Sequence, residues 1–374
     1  MAITGPSHTI DTARRGLGTL RALGDPNQLG YLIAYVTNRC NFTCDFCFYH
    51  AEIAKGLKPD ELTVDEFAQI GRNLGPLAQL SLTGGEPFLR KSFADIAAAL
   101  LDHTHARWVT IPTNGWFTER MLASLERLLP AYPSSNFRLV FSIEAIGDAH
   151  DRLRNKAGSY AAIEASYVAV SPLRERFGNL VVDANTVFST DSQDTALDTL
   201  RRLDRDFLFD NLSVTYARGH IKNPRLLTSE RDKYEATRTY LLNRPRAVEH
   251  RLLSNVWRAV DDVSHERFVR TVFDREFVST CVAGRKLAIL GETGEIYACE
   301  VLEQSLGNVR DAGYNIGAVL RAEAAAKLRR HIAESRCMCS FECAHAASTV
   351  WSAKHYPRVA QLVAGAALAK VTAR

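Results

Sequence analysis

Six short apolar runs rich in β-formers, separated by stretches of helical periodicity, constrain the fold of this chain more than any other feature. They lie at 31–37 (YLIAYVT), 80–83, 108–112, 139–143, 181–188 and 212–216. Between them, Thr63 and Glu66 form a capping box ahead of Phe67, Ile70 and Leu74, and Leu122, Leu125 and Leu129 recur at helical spacing. Strand–helix alternation predicts a parallel sheet, because parallel neighbours need a crossover and a helix supplies it. Right-handed crossovers place the helices on one side and curl six such units into part of a barrel or into an open doubly wound sheet.

Beyond the sixth run the pattern changes. Residues 228–278 are mostly helical and polar, with Ser229 as N-cap, and read as a bridge between domains. Residues 286–290 and 295–298 then flank GETG, a hairpin turn, and a single helix is expected through Ile316, Leu320, Ala324, Leu328 and Ile332. With 374 residues, one large core plus a smaller unit is the expected organisation. Apolar residues at 46% and charged ones at 24% exclude disordered, collagen-like and coiled-coil classes. The net charge of +4 is dispersed, which argues against nucleic acid and anionic membrane as partners. The first thirty residues hold Arg14, Arg15 and Arg21 but no apolar core of signal-peptide length, so a cytoplasmic location is expected. The apolar stretch 359–369 is interrupted by Gln361 and falls short of the roughly 20 residues a transmembrane helix needs, so it reads as a docking helix.

Eight cysteines in a reducing compartment are metal ligands or catalytic groups more often than a disulfide framework. Cys40, Cys44 and Cys47 follow the first run in C-x3-C-x2-C order, while Cys281, Cys299, Cys337, Cys339 and Cys343 lie in the last quarter, which implies two separate sites. In parallel α/β folds the loop after a strand hosts chemistry. A thiol trio with no fourth nearby points to a metal with an open position; a zinc site completed by His50, or three buried cysteines, fits the same spacing.

The segment CNFTCDFC resembles the signature of the radical S-adenosylmethionine (SAM) superfamily, and three further segments follow in that family's order. Gly84-Gly85-Glu86-Pro87 resembles the GGEP segment that receives the methionine amino group, with glycines allowing close backbone approach to a ligand and Glu86 an anionic acceptor. Thr113-Asn114-Gly115 resembles the TNG turn near the ribose. Ser142-Ile143-Glu144 and His150-Asp151-Arg152-Leu153-Arg154 resemble the S-x-D-G and HDRxRG segments, where Ser142 and Arg154 would hold the ribose and the methionine carboxylate. Glu144 stands where aspartate is usual and Ala145 where glycine is usual.

The resemblance implies a 4Fe-4S cluster on Cys40, Cys44 and Cys47 that chelates and reductively cleaves SAM, with Phe46, Glu144 and Thr186 also in contact with the cofactor. The resulting 5'-deoxyadenosyl radical would abstract a substrate hydrogen atom. Asn185, Thr186, Tyr216 and Arg218, at the ends of the fifth and sixth runs, are the expected pocket residues, and Tyr216 and Arg218 join the cysteine trio as candidate catalytic residues. Arg218 is read either as an anchor for an anionic or carbonyl group or as half of a structural salt bridge.

In the last quarter, Cys281, Gly294 and Cys299 fit C-x12-G-x4-C, and Cys337, Cys339 and Cys343 add C-x-C-x3-C. This resembles the SPASM/Twitch extension of radical SAM enzymes. Five cysteines rather than seven match one auxiliary 4Fe-4S cluster, with Cys281, Cys299 and Cys343 as ligands and Cys337 or Cys339 as the fourth; a zinc ribbon is the alternative. The implied fold is α/β, a partial (β/α)6 TIM barrel with a small C-terminal SPASM/Twitch domain. The expected divisions are an N-terminal segment 1–30, the barrel 31–220, a helical bridge 221–280, the auxiliary-cluster domain 281–350 and a C-terminal helix or tail 351–374.

The implied activity is oxidation of a peptide or small natural-product substrate, as by a dehydrogenase or maturase, with a flavodoxin or ferredoxin as reductant. Two other readings stand beside it: redox-neutral epimerisation with a spare cysteine as hydrogen donor, and an iron–sulfur electron-transfer or scaffold protein. Thirty residues ahead of the first run are too few for a leader-peptide-binding domain, so an external recognition protein is expected if the substrate is a peptide.

Overall fold

The computed structural model describes residue 25 and residues 28–244 and 254–372. The N-terminal segment expected at 1–30, with its arginines, therefore lies almost wholly outside the described residues. All six expected strands form: β1 (Tyr31–Thr37), β2 (Gln79–Gly84), β3 (Trp108–Thr113), β4 (Asn136–Ser142), β5 (Leu180–Phe188) and β6 (Leu212–Tyr216). They pair in chain order and all in parallel. The chain is thus an α/β protein with a parallel-sheet core, consistent with a partial barrel.

The helices explain themselves locally. Thr63 Oγ1 accepts the Glu66 amide at 3.3 Å while Glu66 Oε2 accepts the Thr63 amide at 2.8 Å, starting the helix Val64–Leu74 and burying Phe67, Ile70 and Leu74. Along β4, Phe137, Leu139 and Phe141 share a core with Leu125 and Leu128 of the helix Thr118–Ala131 and Val170 of the helix Ser159–Phe177. The alternate residue Arg138 instead pairs with Asp183 of β5 at 2.5 Å, as a period of two requires.

The C-terminal hairpin is not a sheet of its own. β7 (Leu287–Leu290) pairs in parallel with β1, and β8 (Glu295–Tyr297) and β9 (Ser305–Asn308) continue antiparallel, giving one nine-stranded sheet. The GETG turn closes as expected, with Gly294 at φ +98, a conformation that favours glycine. β9 carries no apolar run in the sequence, because its four residues, SLGN, bury only Leu306.

Two helical expectations change. The single helix through Ile316–Ile332 is two, Ile316–Arg321 and Glu323–Glu334, separated by extended Ala322. A residue every four positions drifts around a straight helix; the break resets the buried face to Ala325, Leu328 and Ile332 and leaves Ala324 exposed. Ser229 is not an N-cap: the helix α1 (Arg231–Asn243) begins after Glu230, and the Ser229 hydroxyl is buried without a partner. A second bridge helix, α2 (Ser254–Val272), packs on α3 (Glu342–Trp351) and on the terminal α4 (Tyr356–Thr372), the expected docking helix. Arg358 of α4 pairs with Glu266 of α2 at 2.6 Å. Among the described residues no helix is long and apolar enough to cross a membrane.

Candidate functional site

The cysteine trio sits on the loop leaving β1, and the loop after β2 fixes its backbone. The Gly85 amide donates to Thr37 O and the Glu86 amide to Arg39 O, both at 2.8 Å. A Cβ on Gly84 would lie 2.2 Å from Thr37 O and one on Gly85 2.1 Å from Arg39 O. These two glycines thus permit a close approach to the backbone of Thr37 and Arg39, which lead into the cysteine loop. Cys44 is buried and Cys40 and Cys47 half-buried. Burial, reinforced by the neighbouring thiols, pushes Cys40 up to about 12 and Cys47 up to about 11, so their thiolates need a compensating cation.

Arg154 supplies positive charge at this loop. Its NH1 lies 3.7 Å from Cys44 Sγ and its guanidinium stacks 5.2 Å from the centre of the Phe46 ring. Its NH2 donates to Glu144 Oε1 at 2.5 Å, while Glu144 Oε2 accepts the Val187 amide at 2.5 Å. Glu144 thus reaches both partners from two residues past the end of β4. The Arg154 Nε remains buried without a hydrogen-bond partner. His150 accepts the Glu144 amide at 3.1 Å; burial lowers it to about 3, so it is neutral.

Glu86 is 2% exposed, and burial lifts its carboxyl to about 7. It accepts the Thr113 hydroxyl at 2.9 Å and the Asn114 amide at 2.7 Å, joining the β2 and β3 turns. Asn114 in turn donates to Asn41 Oδ1 at 2.8 Å. The cysteine loop, Pro87 at the start of a short 3-10 turn, Asn114, Glu144 and Arg154 are thereby brought to the carboxyl end of the sheet. Ser142 is half-buried at the end of β4, and Thr186 is fully buried with its hydroxyl on Ile143 O at 2.7 Å.

Tyr216, the last residue of β6, and Arg218, two residues beyond it, are engaged by other side chains and backbone. Tyr216 belongs to an aromatic cluster with Phe188, Tyr234 and Phe268, and its hydroxyl donates to Leu227 O at 3.2 Å. Its role as a lining catalytic residue gives way to one in packing the bridge helices against β6. Arg218 makes the salt bridge: its Nε and NH2 donate to Glu300 Oε2 at 2.9 and 2.6 Å, between the rings of Phe48 and Phe341. Glu300, which follows Cys299, was not singled out from the sequence.

In the last quarter the structure gathers Cys281, Cys299, Cys337 and Cys339 around one small cavity. Backbone amides approach two of the sulfurs, Ala283 N to Cys281 and Leu302 N to Cys299, each at 3.4 Å. Cys343, expected among the ligands, is not part of this group. It lies one residue into α3, against Tyr31 and near Arg218 and Glu300, and opens on a separate cavity of about 620 Å³. Cys337 and Cys339, read as competitors for one place, both join the four. Among the described residues no three His, Cys, Asp or Glu side chains converge on one point as single-ion ligands do. In an iron–sulfur cube each thiolate serves its own iron, so four thiols surround a volume instead.

Residues 34–203 match the family model described as the Radical SAM superfamily. Solved structures share the fold at low identity. "Native anSMEcpe with bound AdoMet and Cp18Cys peptide" aligns at TM-score 0.55 and 14% identity over 90% of this chain and 99% of that one. SuiB of Streptococcus suis bound to S-adenosylmethionine aligns at 0.54 and 16% over 88% and 74%, and SuiB bound to the precursor peptide SuiA at 0.56 and 15% over 88% and 73%. The match runs from within β1 to beyond β5 and takes in the cysteine trio directly after β1.

Proposed function

We propose that this chain is a radical SAM enzyme that oxidatively modifies a peptide or small natural-product substrate with the help of an auxiliary iron–sulfur cluster. The observation that carries the reading is the meeting, within the matched domain, of the cysteine trio with Arg154, Glu86 and Asn114 at one end of the sheet. The donor set fits a cluster: three thiols on one loop, with a buried guanidinium beside them whose Nε is unpaired. When bound, the cluster and SAM supply a 5'-deoxyadenosyl radical.

The residues of the chain do the rest. Cys40, Cys44 and Cys47 hold the cluster, and Arg154 steadies negative charge beside Cys44 and offers its free Nε to a carboxylate. Glu86 accepts three hydrogen bonds in all, which leaves acceptor capacity for an ammonium group. Gly84, Gly85 and Pro87 keep that carboxylate in register with the cysteine loop, Asn114 and Ser142 stand at the ribose, and Phe46 and Thr186 pack around the nucleotide. Cys281, Cys299, Cys337 and Cys339 would hold the auxiliary cluster, which would supply an electron acceptor for the oxidation. We read 31–220 as the barrel domain, 221–280 as the bridge, 281–350 as the SPASM/Twitch-type unit and 351–374 as the terminal helix, with a cytoplasmic location and a flavodoxin- or ferredoxin-type reductant.

Peptides are the favoured substrates, because the anSMEcpe and SuiB structures of the same fold carry peptides. The 620 Å³ cavity, lined by Trp108, Arg138, Arg238 and Trp257, takes in the amino ends of β1, β2, β3 and β6 and none of the residues assigned to the cluster or to SAM, so it is not the substrate pocket of this reading. A second reading has its own observation. Cys343 stands apart from the other four thiols, which leaves a spare thiol as the hydrogen-atom donor of a redox-neutral epimerase. Turnover in deuterium oxide separates the two: oxidised product without carbon-bound deuterium supports the first, deuterated epimer the second. Mössbauer spectra of the anaerobically reconstituted chain test the cluster assignment, which a zinc-only protein would end.

A further inference from the structure

A buried arginine ordinarily faces a carboxylate, because an uncompensated charge in the interior is costly. Arg267, on α2, is 5% exposed, and among the described residues no acidic side chain pairs with it. Its NH1 donates to His355 Nε2 at 2.7 Å, and its Nε is buried with no partner. His355 brings no counter-charge: burial lowers it to about 4, so it accepts as a neutral ring.

What Arg267 does face is the cavity of the four thiols. It lines that cavity with Cys281, Cys299, Cys337 and Cys339, and its interaction with Cys281 and Cys339 is attractive. The lining contains no lysine, aspartate or glutamate. The other basic side chain there, His345, is held on Cys339 O at 2.9 Å. Arg267 is the one permanent charge on this wall.

We propose that Arg267 is the counter-charge of the auxiliary cluster and a determinant of its reduction potential. This rests on the four-cysteine reading above. A cube held by four thiolates is anionic and gains one more negative charge when an external reductant gives it an electron. A fixed cation in a low-dielectric wall therefore stabilises the reduced form more than the oxidised one and raises the potential. Arg267 is a positioning and tuning group, and it makes the bridge helix part of the redox machinery instead of a spacer.

The test is an EPR-monitored redox titration of the full chain, reconstituted anaerobically, in a Cys40→Ala/Cys44→Ala/Cys47→Ala background in which only the auxiliary cluster remains. Arg267→Gln should retain iron and make reduction at least tenfold less favourable, a downward shift of about 59 mV for one electron. Arg267→Lys should stay close to the parent. If Arg267→Gln loses its iron while Arg267→Lys keeps it, the need for charge is equally supported. An unchanged midpoint in iron-replete Arg267→Gln overturns the proposal, as does Lys behaving like Gln, whether both shift or both lose iron. A background chain without iron would instead refute the four-cysteine reading itself, before any Arg267 variant is made.

Discussion

Cys339 and Cys343 are four positions apart and face different spaces. Cys339 lines the small cavity shared with Cys281, Cys299 and Cys337, whereas Cys343, one residue into α3, packs against Tyr31 of β1 and opens on the larger cavity. The onset of α3 at Glu342 falls between them.

Iron analysis should read that separation directly. In the background lacking the first three cysteines, Cys339→Ala should lose most of its iron and acid-labile sulfide, as should Cys281→Ala. Cys343→Ala should keep the parent's content. Equal losses from Cys339→Ala and Cys343→Ala would return Cys343 to the ligand set.

The Arg154–Glu144 pair sets up a double comparison. Arg154→Met leaves a 1%-exposed carboxylate without its cation and should cost about 3–5 kcal/mol in anaerobic urea unfolding. Adding Glu144→Gln should restore most of that stability. SAM binding, measured by equilibrium dialysis, should remain at least tenfold weaker in both, because the guanidinium itself is missing.

Gly85→Ala tests the backbone contact beneath the cysteine loop. Its methyl group would meet Arg39 O, a carbonyl that cannot swing aside like the end of a long side chain. We expect a loss of about 3 kcal/mol by overpacking, with iron lost from the first site before the second. An iron-replete variant of parental stability would show that the approach is looser than the geometry gives.

Glu342 should leave a mark on the pH dependence of stability. Burial lifts its carboxyl from 4.5 to about 7, against the pull of Arg218 and the Tyr216 amide. Between those values the folded chain holds a proton that the unfolded chain has released, so this group's contribution is complete below 4.5 and is lost as pH rises through 7. Glu342→Gln keeps an acceptor for the Tyr216 amide and carries no titration. Urea midpoints at pH 6 and 8 should therefore fall less in the variant than in the parent.

Much of the fold was legible because period-two and helical spacing are local properties. β1 and β6 begin and end where their apolar runs do, and the Thr63–Glu66 box caps its helix. The contacts of Glu86 were not legible: its acceptor role follows from its charge, but its grip on Thr113 and Asn114 depends on β2 and β3 lying side by side. The sorting of Cys337, Cys339 and Cys343 was hidden for a similar reason. C-x-C-x3-C fixes distances along the chain, and the direction of each thiol depends on where α3 starts. Arg267 gave no signal, since a bridge helix rich in charged residues does not reveal which of them turns inward.

The most direct measurement of the central claim is reductive cleavage of SAM by the anaerobically reconstituted chain under dithionite, read as 5'-deoxyadenosine by liquid chromatography. The account requires 5'-deoxyadenosine and methionine in equal amounts, abolished when Cys40, Cys44 or Cys47 is replaced by alanine. An iron-replete chain that yields no 5'-deoxyadenosine, or a Cys44→Ala chain that yields as much as the parent, would contradict it.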